Sequence, residues 1–185
     1  EAVEDLINFD ITPSVFTYEF AKALSYEAER KEKVTKIHIK IDTGMSRIGF
    51  LAGEDNEEIV DEIIKISKLP YIEIEGIFSH FATSDEYDKS YTLLQYGRFM
   101  DVCNRLEEKG LNIPIKHICN SAGIMMYPEM HLDMVRPGVI LYGMYPSDEV
   151  DKSRLDLIPA MTLKSTITHI KEVEPGRGVS YGKEY

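Results

Sequence analysis

Tryptophan is absent from this chain, cysteine occurs only twice, and positive charge is scarce. Apolar runs are short as well: none approaches the roughly 18 residues that a membrane-spanning helix needs, so no membrane segment is expected. Cys103 and Cys119 form no C-x-x-C pair, and two isolated cysteines fit a reducing compartment, so a cytoplasmic location is expected. Lys and Arg number 21 against 32 Asp and Glu, for a formal charge of −11. Without a basic stripe, binding to nucleic-acid phosphates is unfavourable. A small anionic ligand needs only a local patch and stays open. No secretion leader is visible, because residues 1–10 are acidic and helical in pattern, and the true N-terminus is expected elsewhere. Nucleotide, zinc-protease and serine-hydrolase motifs are all missing. The five histidines lie on different elements without ligand spacing, and Asp85, Glu86 and Asp88 read as an exposed acidic loop, so no metal site is expected.

What the chain does have is a core: 43% of its 185 residues are hydrophobic. That length fits one ordinary domain or a piece of a closed α/β barrel, which takes roughly 250 residues. The informative stretch is residues 36–49, KIHIKIDTGMSRIG. Ile37, Ile39 and Ile41 alternate with Lys36, His38, Lys40 and Asp42, a strand with two unlike faces. On an open sheet the charged face is wet. In a helix-covered barrel the isoleucines meet the helices and Lys40 points inward.

Strands are expected at 14–16, 36–42, 71–79, 114–118 and 132–135. Helices are expected at 17–30, with Thr17 as N-cap, at 56–67, and over a stretch with Tyr91, Leu94, Phe99, Val102 and Leu106 on its apolar side, closed by Gly110. This alternation implies a parallel sheet with crossovers, about five strands of a (β/α)8 barrel. The domain division is 1–147 for the partial barrel and 148–185 for a linker leading into an all-β domain. The change comes after the polar residues 148–157, where 162–173, TLKSTITHIKEV, has the alternation of a long antiparallel strand.

Polar residues gather past the strand ends: Arg47, His80, Asn120 with Ser121, and Arg136. Parallel α/β folds build their sites there. Taken singly, a strand-end His or Arg is more often structural than functional; four in register point to a site. Ser121 with the backbone amides of Gly138 and Val139 offers a place for a phosphate, although Gly138 equally serves as a simple turn.

The segments IKIDTGMSRIGF, GIFSHFATSDE, HICNSAG, DMVRPGVILYG and PAMTLKSTITHIKEVEPGRGVSYGKEY together resemble bacterial alanine racemase over essentially the whole chain, in order and spacing. The resemblance implies a pyridoxal 5'-phosphate enzyme that interconverts L- and D-alanine with two bases, works as a homodimer and supplies D-alanine for the cell wall. Ser121, Asn120, Gly138 and Val139 match the cofactor-phosphate loop, and Arg136 matches the arginine that faces the pyridine nitrogen. Tyr181 matches the tyrosine base supplied by the second subunit, with His80 and Arg136 stabilising its phenolate and His117 in the same network. Arg47 matches the residue on the cofactor's phenolic oxygen and the substrate carboxylate. Lys40 matches a lysine that is carbamylated in many members.

The family's upstream block with the cofactor-bearing lysine has no counterpart here, nor has the far end of its β domain. The chain is therefore expected to be an internal fragment, inactive alone. The alternatives are a serine or broad-specificity racemase, and a non-catalytic pyridoxal-phosphate-binding barrel or related decarboxylase. Tyr181 together with Arg136 speaks against the last two, since a binding protein needs no second base and the decarboxylases place an acid at the ring nitrogen.

Overall fold

A computed structural model describes residues 2–183. Its centre is a parallel sheet of β1 (Ser14–Val15), β2 (Thr35–Asp42), β4 (Ile72–Phe78) and β5 (Ile115–His117) in that spatial order, with β3 (Phe50–Leu51) pairing to the end of β2. Helices α1 (Ala2–Asn8), α2 (Tyr18–Arg30), α3 (Glu57–Ser67), α4 (Ser90–Glu108) and α5 (Ser121–Met126) alternate with the strands. The fold is α/β, part of a parallel barrel that is not closed.

The isoleucines of β2 explain why the sheet holds. Ile37, Ile39 and Ile41 are fully buried with Leu24 of α2, Ile63 and Ile66 of α3, and Ile77 of β4. Burying each is worth roughly 1.5–3 kcal/mol. The charged face is dry only toward its C-terminal end: Lys36 is exposed and His38 partly so, but Lys40 is only 3% exposed. Thr17 caps α2 as expected, its hydroxyl accepting from the Phe20 amide at 3.3 Å.

Three expectations need correction. The strand expected at 132–135 does not form: Leu132 takes a left-handed φ of 55°, and the segment makes two separate bonds, Asp133 N to Lys116 O of β5 and Arg136 N to Cys119 O in the loop after it, both 3.1 Å. Tyr91 and Leu94 lie on the outer side of α4, whose buried face is Thr92, Gln95, Phe99, Val102, Cys103 and Leu106. Residues 162–173 join no sheet, and Leu163 is 100% exposed. A single alternating segment has no partner to pair with, and an isolated strand is not stable. Among residues 148–157, Val150 is buried against Ala122 and Met125, so the polar stretch begins docked. Among the described residues no helix is long and apolar enough to cross a membrane.

Candidate functional site

The loop after β2 is shaped by Asp42. Its Oδ1 accepts from the amides of Gly44 and Ser46, both at 3.0 Å. Burial would raise the Asp42 carboxyl, but these amide bonds, with the charge of Lys40, bring it below the usual range. The loop carries Arg47, which is exposed and has no hydrogen-bond or ion-pair partner among the described residues.

Lys40 projects from β2 into the barrel interior. Its Nζ donates to Ile41 O at 2.7 Å and lies 5.3 Å from the centre of the Phe78 ring. Burial lowers its pKa to about 8; Asp42 opposes the fall while Arg136 and Arg47 add to it.

Arg136 is the hub. Its Nη2 donates to Ser79 O at 2.8 Å and meets His80 Nδ1 at 3.2 Å, and its Nη1 meets His117 Nδ1. The guanidinium also stacks on Phe78, 5.1 Å from the ring centre. Burial lowers Arg136 to about 10, so it stays charged at neutral pH. Burial, then the charge of Arg136, depress His80 to about 4 and His117 to about 3. Both imidazoles are neutral, and because an arginine only donates, both accept through Nδ1.

The next loop is built by α5. Asn120 caps it, its Oδ1 accepting from Gly123 N and from Ser84 Oγ, both at 2.9 Å. Ser121 Oγ accepts from Gly138 N at 2.8 Å, which leaves the hydroxyl's own proton for an anion. A cavity of about 320 Å³ opens beside them, lined by His80, Asn120, Ser121, Arg136, Gly138 and Val139 among others. A Cβ on Gly138 would come within 3.3 Å of Ser121 Oγ, so a side chain there would crowd this cradle. Hydroxyl, glycine and a partly buried guanidinium around one cavity fit a phosphate-bearing group.

The structure thus brings together His80, Asn120, Ser121, Arg136, Gly138 and Val139, with Lys40 against the same Phe78 ring. It does not bring Tyr181, which is 99% exposed. His38, Glu75, Phe78 and Gln95 also belong to this network, and their positions in the sequence assign them no role. His38 had a usable signal, since it shares the inward parity of Lys40.

The family described as "Alanine racemase, N-terminal domain" matches residues 1–146. The chain is 55% identical over 183 residues to the alanine racemase of Clostridium tetani, covering 99% of this chain and 46% of that protein. It is 49% identical to the one from Desulforamulus reducens, covering 100% of this chain and 49% of that protein. Among solved structures, an alanine racemase of Clostridium difficile 630 aligns with TM-score 0.89 at 50% identity, over 100% of this chain and 47% of the other. A histidine racemase of Leuconostoc mesenteroides aligns with TM-score 0.82 at 28% identity, over 99% of this chain and 47% of the other. The chain spans about half the length of the curated relatives it matches. With the family matched over most of its residues and half of them identical in full-length relatives, the chain belongs to the alanine racemase family.

Proposed function

We propose that this chain is the central part of a pyridoxal-phosphate-dependent alanine racemase, and that the hub at Arg136 carries the assignment. Pyridoxal phosphate, when bound, supplies the electron sink that makes the substrate Cα–H acidic. Ser121, the Val139 amide and the loop capped by Asn120 hold its phosphate; the Gly138 amide, expected to join them, donates to Ser121 Oγ and so orients that hydroxyl. Arg136 faces the ring nitrogen. A guanidinium keeps its proton at working pH, so that nitrogen receives a hydrogen bond and no proton, and electrons are not drawn far from Cα. This favours returning a proton to carbon over transamination.

Racemisation needs a base on each face of the carbon. One is the family's cofactor-bearing lysine, for which this chain has no matching block. The other is Tyr181, supplied by a second copy in a homodimer. A phenol is a weak base until its phenolate is stabilised. His80 is suited to that: its Nδ1 accepts from Arg136, so its Nε2–H is left to donate to the phenolate oxygen. Arg47 holds the substrate carboxylate and the cofactor's phenolic oxygen, and Lys40, as its carbamate, pairs with Arg47. The reaction belongs in the cytoplasm and feeds D-alanine to cell-wall synthesis.

A second reading keeps the machinery and changes the substrate to serine or a broader range, as the histidine racemase of the same fold illustrates. The test is a chain of the relatives' full length, loaded with pyridoxal phosphate. We expect a bound-cofactor absorbance band and conversion of L-alanine to D-alanine faster than of other amino acids. Cofactor binding without any racemisation overturns the proposal, and faster turnover of another amino acid selects the second reading.

A further inference from the structure

Arginine has donors and no acceptor, so each ring nitrogen it meets must accept. That settles the proton positions behind it. Arg136 Nη1 donates to His117 Nδ1, so neutral His117 carries its proton on Nε2. That Nε2 lies 2.9 Å from His38 Nδ1, which therefore accepts, and His38 in turn carries its proton on Nε2. His38 Nε2 faces Glu75 Oε2 at 3.4 Å. Glu75 is held ionised chiefly by Lys36, whose Nζ donates to its other oxygen at 2.7 Å. Every donor from Arg136 onward points the same way, toward a carboxylate.

Independent features of the fold seat this string. The parallel register of β2 and β4 slips once: Ile37 pairs with Ile74 but His38 with Gly76, leaving Glu75 as the extra residue of a bulge. Bulges beside functional sites re-aim side chains in this way. At Gly76 a Cβ would lie 2.6 Å from His38 Nδ1 and 2.8 Å from Nε2, so only glycine leaves room for the imidazole. Phe78 stacks on His117 with ring centres 4.8 Å apart and planes within 5°, which fixes the second ring.

We infer that His38 and Glu75 are positioning residues that lock His117 in its Nε2-protonated tautomer and thereby hold the Arg136 guanidinium turned toward His80 and the strand-end cavity. The carboxylate strengthens each acceptor along the string, much as an outer carboxylate orients a metal-bound histidine. No proton has to travel. The tautomer follows from the side chains alone; only its consequence for catalysis rests on the function proposed above.

The experiment uses the full-length protein with 15N-labelled histidine, with and without pyridoxal phosphate, and long-range 1H–15N spectra that show which ring nitrogen carries the proton. At pH 7, His117 and His38 are each expected as one Nε2-protonated species in both forms. Glu75→Gln keeps an acceptor and loses the charge, so both rings keep that tautomer with displaced nitrogen shifts. Glu75→Leu mixes the tautomers, and Gly76→Ala does so with Glu75 intact. The nearly isosteric Gln variant decides the matter should the other two not fold. In the holoenzyme, Glu75→Leu is expected to lower kcat roughly tenfold with KM little changed, the scale on which lost orienting partners are felt. Native His117 protonated on Nδ1, or His117 shifts unmoved by Glu75→Gln, overturns the inference. Expected histidine signals in a protein that neither binds the cofactor nor turns over alanine overturn the proposed function and leave this inference standing.

Discussion

Gln95 Nε2 donates to Thr43 Oγ1 at 3.2 Å, tying the buried face of α4 to the end of β2. The same amide donates to His80 O at 3.0 Å and accepts from Ala82 N at 2.8 Å. Thr43 Oγ1 in turn meets Ser79 Oγ at 2.8 Å. One fully buried side chain thus joins the loop that carries Arg47 to the loop that carries His80.

Replacing Gln95 by Leu should therefore cost more than an average core substitution. It takes the side-chain partner from the partly buried Ala82 amide and His80 carbonyl, which water compensates in part, so each loss falls toward the low end of the about 1–3 kcal/mol of a fully buried orphan. Urea unfolding of Gln95→Leu should show a lower midpoint, corresponding to a stability loss of about 2 kcal/mol. A midpoint within the error of the parent protein would mean that the amide is not what joins the loops.

Lys40 supplies the second prediction. Its amine is depressed to about 8, so a substantial neutral fraction exists near neutral pH. A neutral amine adds to carbon dioxide, forming an N–C bond and releasing a proton, and the product is an anion where Arg47 and Arg136 otherwise repel an ammonium. Intact-mass measurement of the full-length protein in bicarbonate should show an added CO₂ that Lys40→Met abolishes. High-resolution density with a bare Nζ in the cofactor-loaded enzyme would count against it.

The two hub histidines make stability depend on pH. Their folded values, about 4 for His80 and about 3 for His117, lie below the ordinary 6.5. The unfolded chain thus binds more protons than the folded one in that window. Stability is full above about pH 6.5 and falls as pH drops toward 4 and 3, by at most about 1.4 kcal/mol per pH unit for each histidine. Half-buried His80 reaches less of that ceiling than fully enclosed His117. Urea midpoints at pH 7 and pH 5 should differ in the parent protein and differ less in His117→Asn. Equal slopes in the two proteins would remove His117 from the account.

How far the sequence discloses such detail depends on whether a side chain's surroundings are local. The β2 alternation predicts both the buried isoleucines and the inward Lys40, because strand parity is a local property. Thr17 as a cap is equally local. Leu132 illustrates the opposite case: LDMV reads as a strand, yet one left-handed residue diverts it, and nothing in the four letters requires that. Residues 162–173 keep their alternation but form no sheet, because pairing is decided by a partner and not by pattern. His38 and Glu75 stand 37 residues apart, and only the register slip between β2 and β4 brings them together. Gln95 reads from sequence as any polar position on a helix, because its three partners come from loops after two different strands.

Asn120 carries the last prediction. Its Oδ1 holds both the first turn of α5, through Gly123 N, and Ser84 Oγ from the loop after β4. Losing an N-cap of this kind costs about 0.5–2 kcal/mol. The loss falls on Ser121, the next residue, whose hydroxyl anchors the Gly138 amide. Asn120→Ala in the full-length protein should therefore weaken pyridoxal-phosphate affinity several-fold while leaving affinity for pyridoxal, which lacks the phosphate, nearly unchanged. Equal loss for both ligands would show that the cap supports the whole site and has no special part in the phosphate loop.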